Sequence, residues 1–277
     1  MTIDSHQHFW KFDPIRDSWI TDEMSVIQKN FYPKDLQPVL QANGIDACVV
    51  VQANQSIEET KFLLDLANNN DFIKAVVGWI DLQADDIDEQ LANWKSEKKL
   101  AGFRHVLQAE PDLEYMLRPN FLRGIFALKK HGFTYDILIF PKHLPFTQKF
   151  VAHFPDQPFV LDHIAKPYIK AGLIDDWKKD IESLAKFDNV HCKVSGIITE
   201  ADWKNWTYEQ IKPYLDVVFE AFGTNRIMFG SDFPVCLLAG EYTQVKGIIE
   251  TYTTHFLASE KSKIFGENAA KFYKINE

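Results

Sequence analysis

The sequence is poor in cysteine and in long apolar runs, and each shortage argues against a class of protein. Three cysteines occur among 277 residues, widely spaced and without a CxxC pair, so no disulfide framework is expected and a reducing cytoplasm fits best. No segment approaches the roughly 20 uninterrupted apolar residues of a membrane span. No basic region followed by an apolar run opens the chain, so neither a membrane protein nor a signal peptide is predicted.

Positive charge is also scarce. The 30 Lys and Arg residues face 39 Asp and Glu residues, which gives a formal net charge of −9. Binding to DNA, RNA or anionic membranes needs a basic surface, so nucleic acids and membranes are not expected as partners. A GxGxxG or GxxxxGK[ST] motif is missing after the first strand-like run. A nucleotide-binding fold therefore lacks its usual support.

What is present is a repeated alternation of short apolar runs and segments with helical spacing. Apolar residues make up 46% of the chain, and several runs are continuously apolar, which is typical of parallel strands buried on both faces. Eight such runs separated by helices predict a distorted (β/α)8 TIM barrel, formed as one domain by residues 1–277. A doubly wound open sheet is the alternative. The strand-like runs are 2–8, 47–52, 75–82, 102–107, 133–140, 159–163, 190–194 and 226–230, and the helix-like segments include 57–69, 85–97, 120–131, 177–186, 211–222 and 242–256.

Two histidines near the start are the first candidate site residues. His6 and His8 stand two positions apart, so in a strand both imidazoles point to the same side. An isolated His-x-His pair has little specificity and also fits a turn near a terminus. It gains weight because His163 and Asp232 lie at the ends of other apolar runs, where a barrel forms its active site. For Asp232 the alternative is a helix N-cap in a Ser-Asp turn before proline.

These residues resemble the landmarks of the amidohydrolase superfamily, and the resemblance covers essentially the whole chain. Within that superfamily the chain is similar to a lactonase-type branch of TIM-barrel hydrolases (amidohydrolase-related family 2), which includes enzymes acting on L-fuconolactone or L-rhamnonolactone. The resemblance implies an enzyme of carbohydrate metabolism that opens a small sugar-acid lactone. The local motifs that carry the likeness are HQHFW at 6–10, DSW at 17–19, GFRH at 102–105, LDHIAKP at 161–167 and GSDFP at 230–234.

The resemblance also bears on metal binding. Binuclear relatives supply a bridging lysine or glutamate from strand 4 and a histidine from strand 5, whereas here those strands read GFRHV and FTYDI. A two-metal centre is therefore not expected. Two options stay open: one divalent ion on His6, His8, His163 and Asp232, for which Zn²⁺ suits three imidazoles and a carboxylate, or a site that works without metal.

The expected reaction is attack of water on the lactone carbonyl, with Asp232 as general base. His6, His8 and His163 would polarise the carbonyl and stabilise the oxyanion, with or without a metal. Two other functions stay open, namely decarboxylation of an aromatic acid and binding of a ligand without catalysis. The small-molecule lactone is the expected partner, and a homo-oligomer is left open.

Five further residues are candidates for substrate binding: Trp19, Arg104, His105, Tyr135 and Lys166. Trp19 lies in a long segment, residues 9–32, that we expect to cap the site, with plain loop packing as the rival interpretation. Arg104 and His105 are strand neighbours, so only one is expected to enter the mouth, and an ion pair is the alternative for Arg104. Tyr135 and Lys166 are weaker candidates for hydrogen bonds to substrate hydroxyls.

Overall fold

The computed structural model describes residues 1–275 and has eight parallel strands at its centre, arranged in the order of the sequence. The strands are β1 (Ile3–Gln7), β2 (Ala47–Val51), β3 (Ile73–Gly78), β4 (Leu100–His105), β5 (Thr134–Ile137), β6 (Phe159–Leu161), β7 (Val190–Val194) and β8 (Ile227–Phe229). After β8 the chain returns to β1 through two backbone bonds, His8 N to Phe233 O at 2.7 Å and Asp232 N to His6 O at 2.8 Å. The ring is thereby nearly closed, and the predicted (β/α)8 barrel is confirmed.

Helices surround the strands: α1 (Pro33–Ala42), α2 (Ile57–Asn68), α3 (Ile87–Trp94), α4 (Pro119–His131), α5 (Leu144–Ala152), α6 (Asp175–Leu184), α7 (Tyr208–Phe222), α8 (Tyr242–Tyr252), α9 (Ala258–Ser262) and α10 (Asn268–Phe272). The apolar spacing had not pointed to α1 and α5, because both are short and carry prolines in their first turns, which is where a helix tolerates proline. Within residues 1–275, no helix combines the length and apolar character needed to cross a membrane.

The continuous apolar runs contribute to two hydrophobic cores, one inside the barrel and one between the strands and the helices. In β2, Val49 and Val51 face the barrel interior, whereas Cys48 and Val50 face the layer of helices. Such strands are apolar on both faces because neither face meets water. Several predicted strands extended too far, since apolar residues beyond β3 and β5, such as Ile80 and Ile139, stay buried beneath loops without joining the ladder.

The two ends of the barrel are closed differently. At the amino-terminal end of the strands, which we call the base, Phe272 and Tyr273 at the end of α10 fill the interior beside Ile3, Ala47 and Met228. At the carboxyl ends, which we call the mouth, the loops leave an opening. A protein of this architecture holds its chemistry at the mouth.

Candidate active site

The mouth contains a cavity of about 260 Å³ that is lined by both polar and apolar side chains. The polar lining consists of His8, Arg104, Gln108, His163, Lys166 and Asp232, and the apolar lining includes Trp10, Trp19, Val106, Leu138 and Val235. A cavity lined largely by apolar groups with a few convergent polar ones is the usual form of a small-molecule site.

His6 and His8 reach this cavity from β1. The pairing of β1 with β2 is irregular between Asp4 and Gln7, and beyond this irregularity both imidazoles face inward with their Nε2 atoms 3.2 Å apart. Nδ1 of His8 donates to the carbonyl of Val51 at 2.7 Å. In the neutral ring this fixes the proton on Nδ1 and leaves the Nε2 lone pair directed at the cavity.

Asp232 lies in a turn after β8 that is bound tightly to β1. Its φ of 59° is left-handed, an uncommon conformation for a residue other than glycine. The turn is held by Asp4, whose carboxylate accepts from Ser231 N at 2.9 Å, Ser231 Oγ at 2.6 Å and Tyr242 OH at 3.0 Å. Burial raises the pKa of Asp4 to about 6, although these donors oppose the shift. Asp4 therefore fixes the turn from which the Asp232 side chain projects.

His163 is presented by a more strained turn. Residues 163–166 all have φ between 48° and 60°, and the second of them, Ile164, is β-branched, for which this region is a genuine outlier. Trp177 Nε1 donates to the Ile164 carbonyl at 2.9 Å and helps to hold the turn. Nδ1 of His163 lies 2.9 Å from Ser195 Oγ. A Cβ at Gly196 would stand 2.6 Å from that Nδ1, so only glycine fits beside the ring.

The carboxylate of Asp232 is the point where the imidazoles meet. Its Oδ1 lies 3.3 Å from Nε2 of His8 and 3.9 Å from Nε2 of both His6 and His163. Burial alone would raise the pKa of Asp232, but His163, His8 and His6 bring it well below the ordinary value. Burial lowers the pKa of His163 to about 4 and that of His6 well below its usual range. At neutral pH His6 and His163 are therefore neutral imidazoles beside an ionised Asp232 carboxylate.

A second layer of charge lies beneath the imidazoles. Arg104 Nη1 stands 3.0 Å from Asp162 Oδ2 and 3.4 Å from His6 Nε2. Lys193 Nζ stands 3.0 Å from Asp162 Oδ1, 2.5 Å from Asp136 Oδ2 and 3.1 Å from His6 Nδ1. Burial would raise the pKa of Asp162, but Lys193 and His6 hold it well below its usual range. Two cations and two carboxylates therefore balance one another in a water-poor interior, as buried charges must.

The donor set fits one divalent ion. His6 Nε2, His8 Nε2 and a carboxylate oxygen of Asp232 all lie within 4.8 Å of one another and are buried. Two imidazole nitrogens 3.2 Å apart are spaced as neighbouring ligands of one ion with Zn–N bonds of about 2.0–2.1 Å. Asp162 groups in the same way with His6 and His163, but Lys193 and Arg104 already neutralise it, so the Asp232 group is the better metal site.

The other predicted residues divide into two groups. Arg104, Trp19 and Lys166 line the cavity; Lys166 Nζ also lies 3.8 Å from Glu200. His105 and Tyr135 do not reach it, and their expected place at the substrate needs correcting. His105 faces the helix layer, where it stacks on Tyr115 and lies 2.7 Å from Glu110, because strand neighbours alternate.

Tyr135 lies on the same outer side. It is fully buried among Phe121, Phe150 and Phe159, so it belongs to the layer between strands and helices. The sequence analysis assigned no role to Lys193, Asp136 and Asp162, which are polar residues in or beside apolar runs. Gln108, whose buried Oε1 has no hydrogen-bond partner within residues 1–275, was missed because nothing marks a lone glutamine in a loop.

An eight-stranded parallel barrel with an imidazole–carboxylate cluster at its mouth defines a TIM-barrel protein of hydrolase type. The chain belongs to the amidohydrolase family, whose sequence profile matches residues 3–275.

Two curated relatives are similar over nearly their full length. An L-fucono-1,5-lactonase of Burkholderia multivorans is 39% identical, and the alignment covers 100% of this chain and 97% of the relative. An L-fucono-1,5-lactonase of Burkholderia ambifaria is 36% identical, with 99% and 96% covered. A crystal structure of a Burkholderia multivorans amidohydrolase with bound zinc superposes with a TM-score of 0.96 at 39% identity, with 100% of both chains covered.

Proposed function

We propose that this protein hydrolyses a sugar-acid lactone of the L-fucono-1,5-lactone class. The observation that carries the proposal is the buried Asp232 carboxylate ringed by His6, His8 and His163 at the edge of a cavity. The identity of 36–39% to two proteins of that activity supports the substrate class.

Asp232 is the general base in this proposal. Its low pKa keeps it ionised at neutral pH, so it can take a proton from water positioned above the lactone carbonyl. The same carboxyl can then return the proton to the ring oxygen as the C–O bond breaks. One residue thereby serves both halves of the reaction, and the products are the open hydroxy acid and no other fragment.

Arg104 and the imidazoles stabilise the oxyanion that forms on the carbonyl oxygen. Arg104 lines the cavity, is almost fully buried, and has a fork of fixed donors suited to an oxygen of growing negative charge. Its partners Asp162 and the Gln52 carbonyl hold the guanidinium in place, so little reorganisation accompanies the reaction.

A zinc ion would be held by His6, His8 and Asp232, with His163 beside it. When bound, such an ion supplies Lewis-acid polarisation of the carbonyl. The side chains that line the cavity bind and orient the substrate: Arg104 and Lys166 by polar contacts, and Trp19 and Val235 by apolar contacts.

The polar and apolar residues of the cavity match the two kinds of group on the substrate. Hydroxyl groups of a sugar lactone need partners, and Gln108 and Lys166 offer an amide and an ammonium. Trp10, Trp19 and Leu138 form a surface that suits the apolar face of the ring and its terminal carbon. Trp10 and Trp19 of the segment 9–32 cover part of the cavity and reduce the access of bulk water to the reaction.

The test is acid release from a panel of sugar 1,4- and 1,5-lactones, followed with a pH indicator for the protein as purified and after removal of metal. Hydrolysis of L-fucono-1,5-lactone by wild type, and its loss in Asp232→Asn, is expected. Failure of wild type on every lactone, with CO₂ release from a dihydroxybenzoate, would replace the proposal by a decarboxylase.

A further inference from the structure

A line of buried polar contacts connects the base of the barrel to its mouth. Tyr273, just beyond α10, is 3% exposed, and its hydroxyl donates to Asp136 Oδ2 at 2.8 Å. Lys193 Nζ donates to that same oxygen at 2.5 Å. The ammonium of Lys193 also lies 3.1 Å from Nδ1 of His6. Only two residues, Asp136 and Lys193, therefore separate the tyrosine at the base from an imidazole of the candidate active site.

The orientation of Asp136 depends on this tyrosine. Its Oδ2 receives both hydrogen bonds, while its buried Oδ1 has no partner within residues 1–275. Loss of the Tyr273 hydroxyl would leave the carboxylate with a single bond, to Lys193, and free to rotate. The Tyr273 ring also supports Lys193 directly, because Nζ lies 5.4 Å from the ring centroid, within the range of a cation–π contact.

We propose that Tyr273 is a positioning residue for His6, acting through Asp136 and Lys193. Lysine has a long flexible stem, and Asp136 and the tyrosine ring hold its ammonium at His6 Nδ1. Asp162 Oδ1, 3.0 Å from Lys193 Nζ and 3.2 Å from His6 Nδ1, contacts both groups from another direction. That ammonium then sets the orientation and electrostatics of the His6 ring from behind. The role in turnover rests on the proposed lactonase function, whereas the structural coupling between Tyr273 and His6 does not.

The competing explanation is that Tyr273 only fills the base of the barrel by apolar packing. Its ring packs against Phe272 with centroids 4.9 Å apart and belongs to the inner core. Tyr273→Phe separates the two explanations because it keeps the ring and removes the hydroxyl. Tyr214→Phe is the matched control, since its hydroxyl donates at 3.2 Å to the Leu173 carbonyl, in the outer layer of the barrel.

The first experiment reads the ring itself and needs no turnover. In protein labelled with ¹⁵N-histidine, the Nδ1 and Nε2 resonances of His6 are assigned with a His6→Gln variant. Tyr273→Phe is expected to shift both resonances, and Tyr214→Phe to leave them in place. Unchanged His6 resonances in folded Tyr273→Phe would overturn the proposal. If that variant does not fold, Asp136→Asn, which keeps the tyrosine, is expected to shift the same resonances, and their constancy would be equally decisive.

The second experiment measures lactone hydrolysis. Tyr273→Phe is expected to lower kcat about tenfold, as changes behind an active-site imidazole typically do, with KM within twofold of wild type. Because the effect passes through Asp136, the double variant Asp136→Asn/Tyr273→Phe should be no slower than Asp136→Asn alone. Additive losses, or a wild-type kcat in Tyr273→Phe, would show that the tyrosine is only a plug. A wild type inactive on all lactones would refute the proposed function and leave the NMR result to decide the coupling.

Discussion

At the base of the barrel, Ile3, Ala47 and Met228 pack with Phe272 and Tyr273 at the end of α10, whereas at the mouth the same ring of strands leads into imidazoles and carboxylates. The base contributes apolar burial, worth about 25 cal/mol per Å², and its side chains touch no cavity of the mouth. The mouth holds charged groups whose burial costs free energy. Stability and chemistry thus occupy opposite ends of one structure, as TIM barrels allow.

The backbone differs between the two ends in the same way. Among residues 1–275, six residues other than glycine have a positive φ, and five of these, His163–Lys166 and Asp232, are at the mouth. Such conformations cost on the order of 1–3 kcal/mol each. Because the apolar base and helix layer over-determine the fold, the mouth can hold this strain and aim His163 and Asp232 at one point.

The largest effect is expected from Asp232→Asn, which should reduce activity at the mouth without reducing the stability that the base provides. Loss of the general base should lower kcat by about 10³-fold, within the 10²–10⁴-fold contribution of such groups, while the thermal unfolding midpoint stays near that of wild type. The steady-state rate on L-fucono-1,5-lactone and a melting curve are the two measurements. Asp176→Asn, at an exposed position of α6, is the control and should match wild type in both. A turnover of Asp232→Asn within tenfold of wild type would refute the role of this carboxylate.

The next effect concerns zinc. Wild type is expected to bind one zinc ion per chain, and His8→Gln to bind it at least tenfold more weakly, because a ligand has been lost. Metal content after dialysis and competition with a chromophoric chelator measure this. His153→Gln removes an exposed histidine whose Nδ1 lies 2.7 Å from a carbonyl of its own helix, so its zinc affinity should equal that of wild type. Equal affinities in all three proteins would place the ion elsewhere.

Acid titration compares the base and the mouth directly, because each has a histidine whose pKa is lowered by burial to about 4. These are His163 at the mouth and His191 at the base. Below pH 6.5 the unfolded chain binds these protons and the folded protein does not, so stability is lost as pH falls from about 6.5 towards 4. Between pH 6.5 and 4, protonation of His191 should lower the free energy of unfolding of wild type by an amount on the order of 2 kcal/mol, and His191→Gln should not show this decrease.

The measurement is the free energy of unfolding by urea at pH 7 and pH 4.5 for wild type and His191→Gln. Activity at pH 7 should be the same in both proteins, because His191 packs on Phe272 at the base and faces no part of the cavity. If the variant lost as much stability on acidification as wild type, the base histidine would not be the group that titrates.

The smallest effect is expected at the rim of the mouth. Trp19→Ala removes part of the apolar lining of the cavity, so KM for the lactone should rise about three- to tenfold, which corresponds to roughly 1 kcal/mol of lost contact. The value of kcat should stay near that of wild type, since Trp19 carries no group that takes part in the proton transfer. Ile15→Ala, at a position 88% exposed in the same segment, should leave both constants unchanged.

The sequence predicted the framework because its signals are local. Continuous apolar runs such as 48–51 require burial on both faces, and eight of them separated by helices leave few folds. The helices α1 and α5 escaped notice since prolines interrupt their short patterns. Strand ends were misplaced because burial under a loop and burial in a sheet select the same apolar residues.

The site was predictable only where a motif marks it. His6, His8, His163 and Asp232 stand in such motifs, and the structure brings them together. Tyr135 was misplaced because sequence does not reveal which face of β5 turns inward. The link from Tyr273 to His6 joins residues 267 positions apart, and no pattern in either segment points to the other.

The edge-to-face arrangement of Trp10 and Trp19, with ring centroids 6.0 Å apart, has an optical consequence. Trp10 is buried, while Trp19 remains 43% exposed at the cavity, so the two indoles experience different polarity. A lactone that covers Trp19 removes water from the exposed indole, whereas Trp10 is already buried, so the emission of Trp19 should move to shorter wavelength. The protein therefore carries its own indicator of occupancy, which can report binding even in a variant that no longer turns its ligand over.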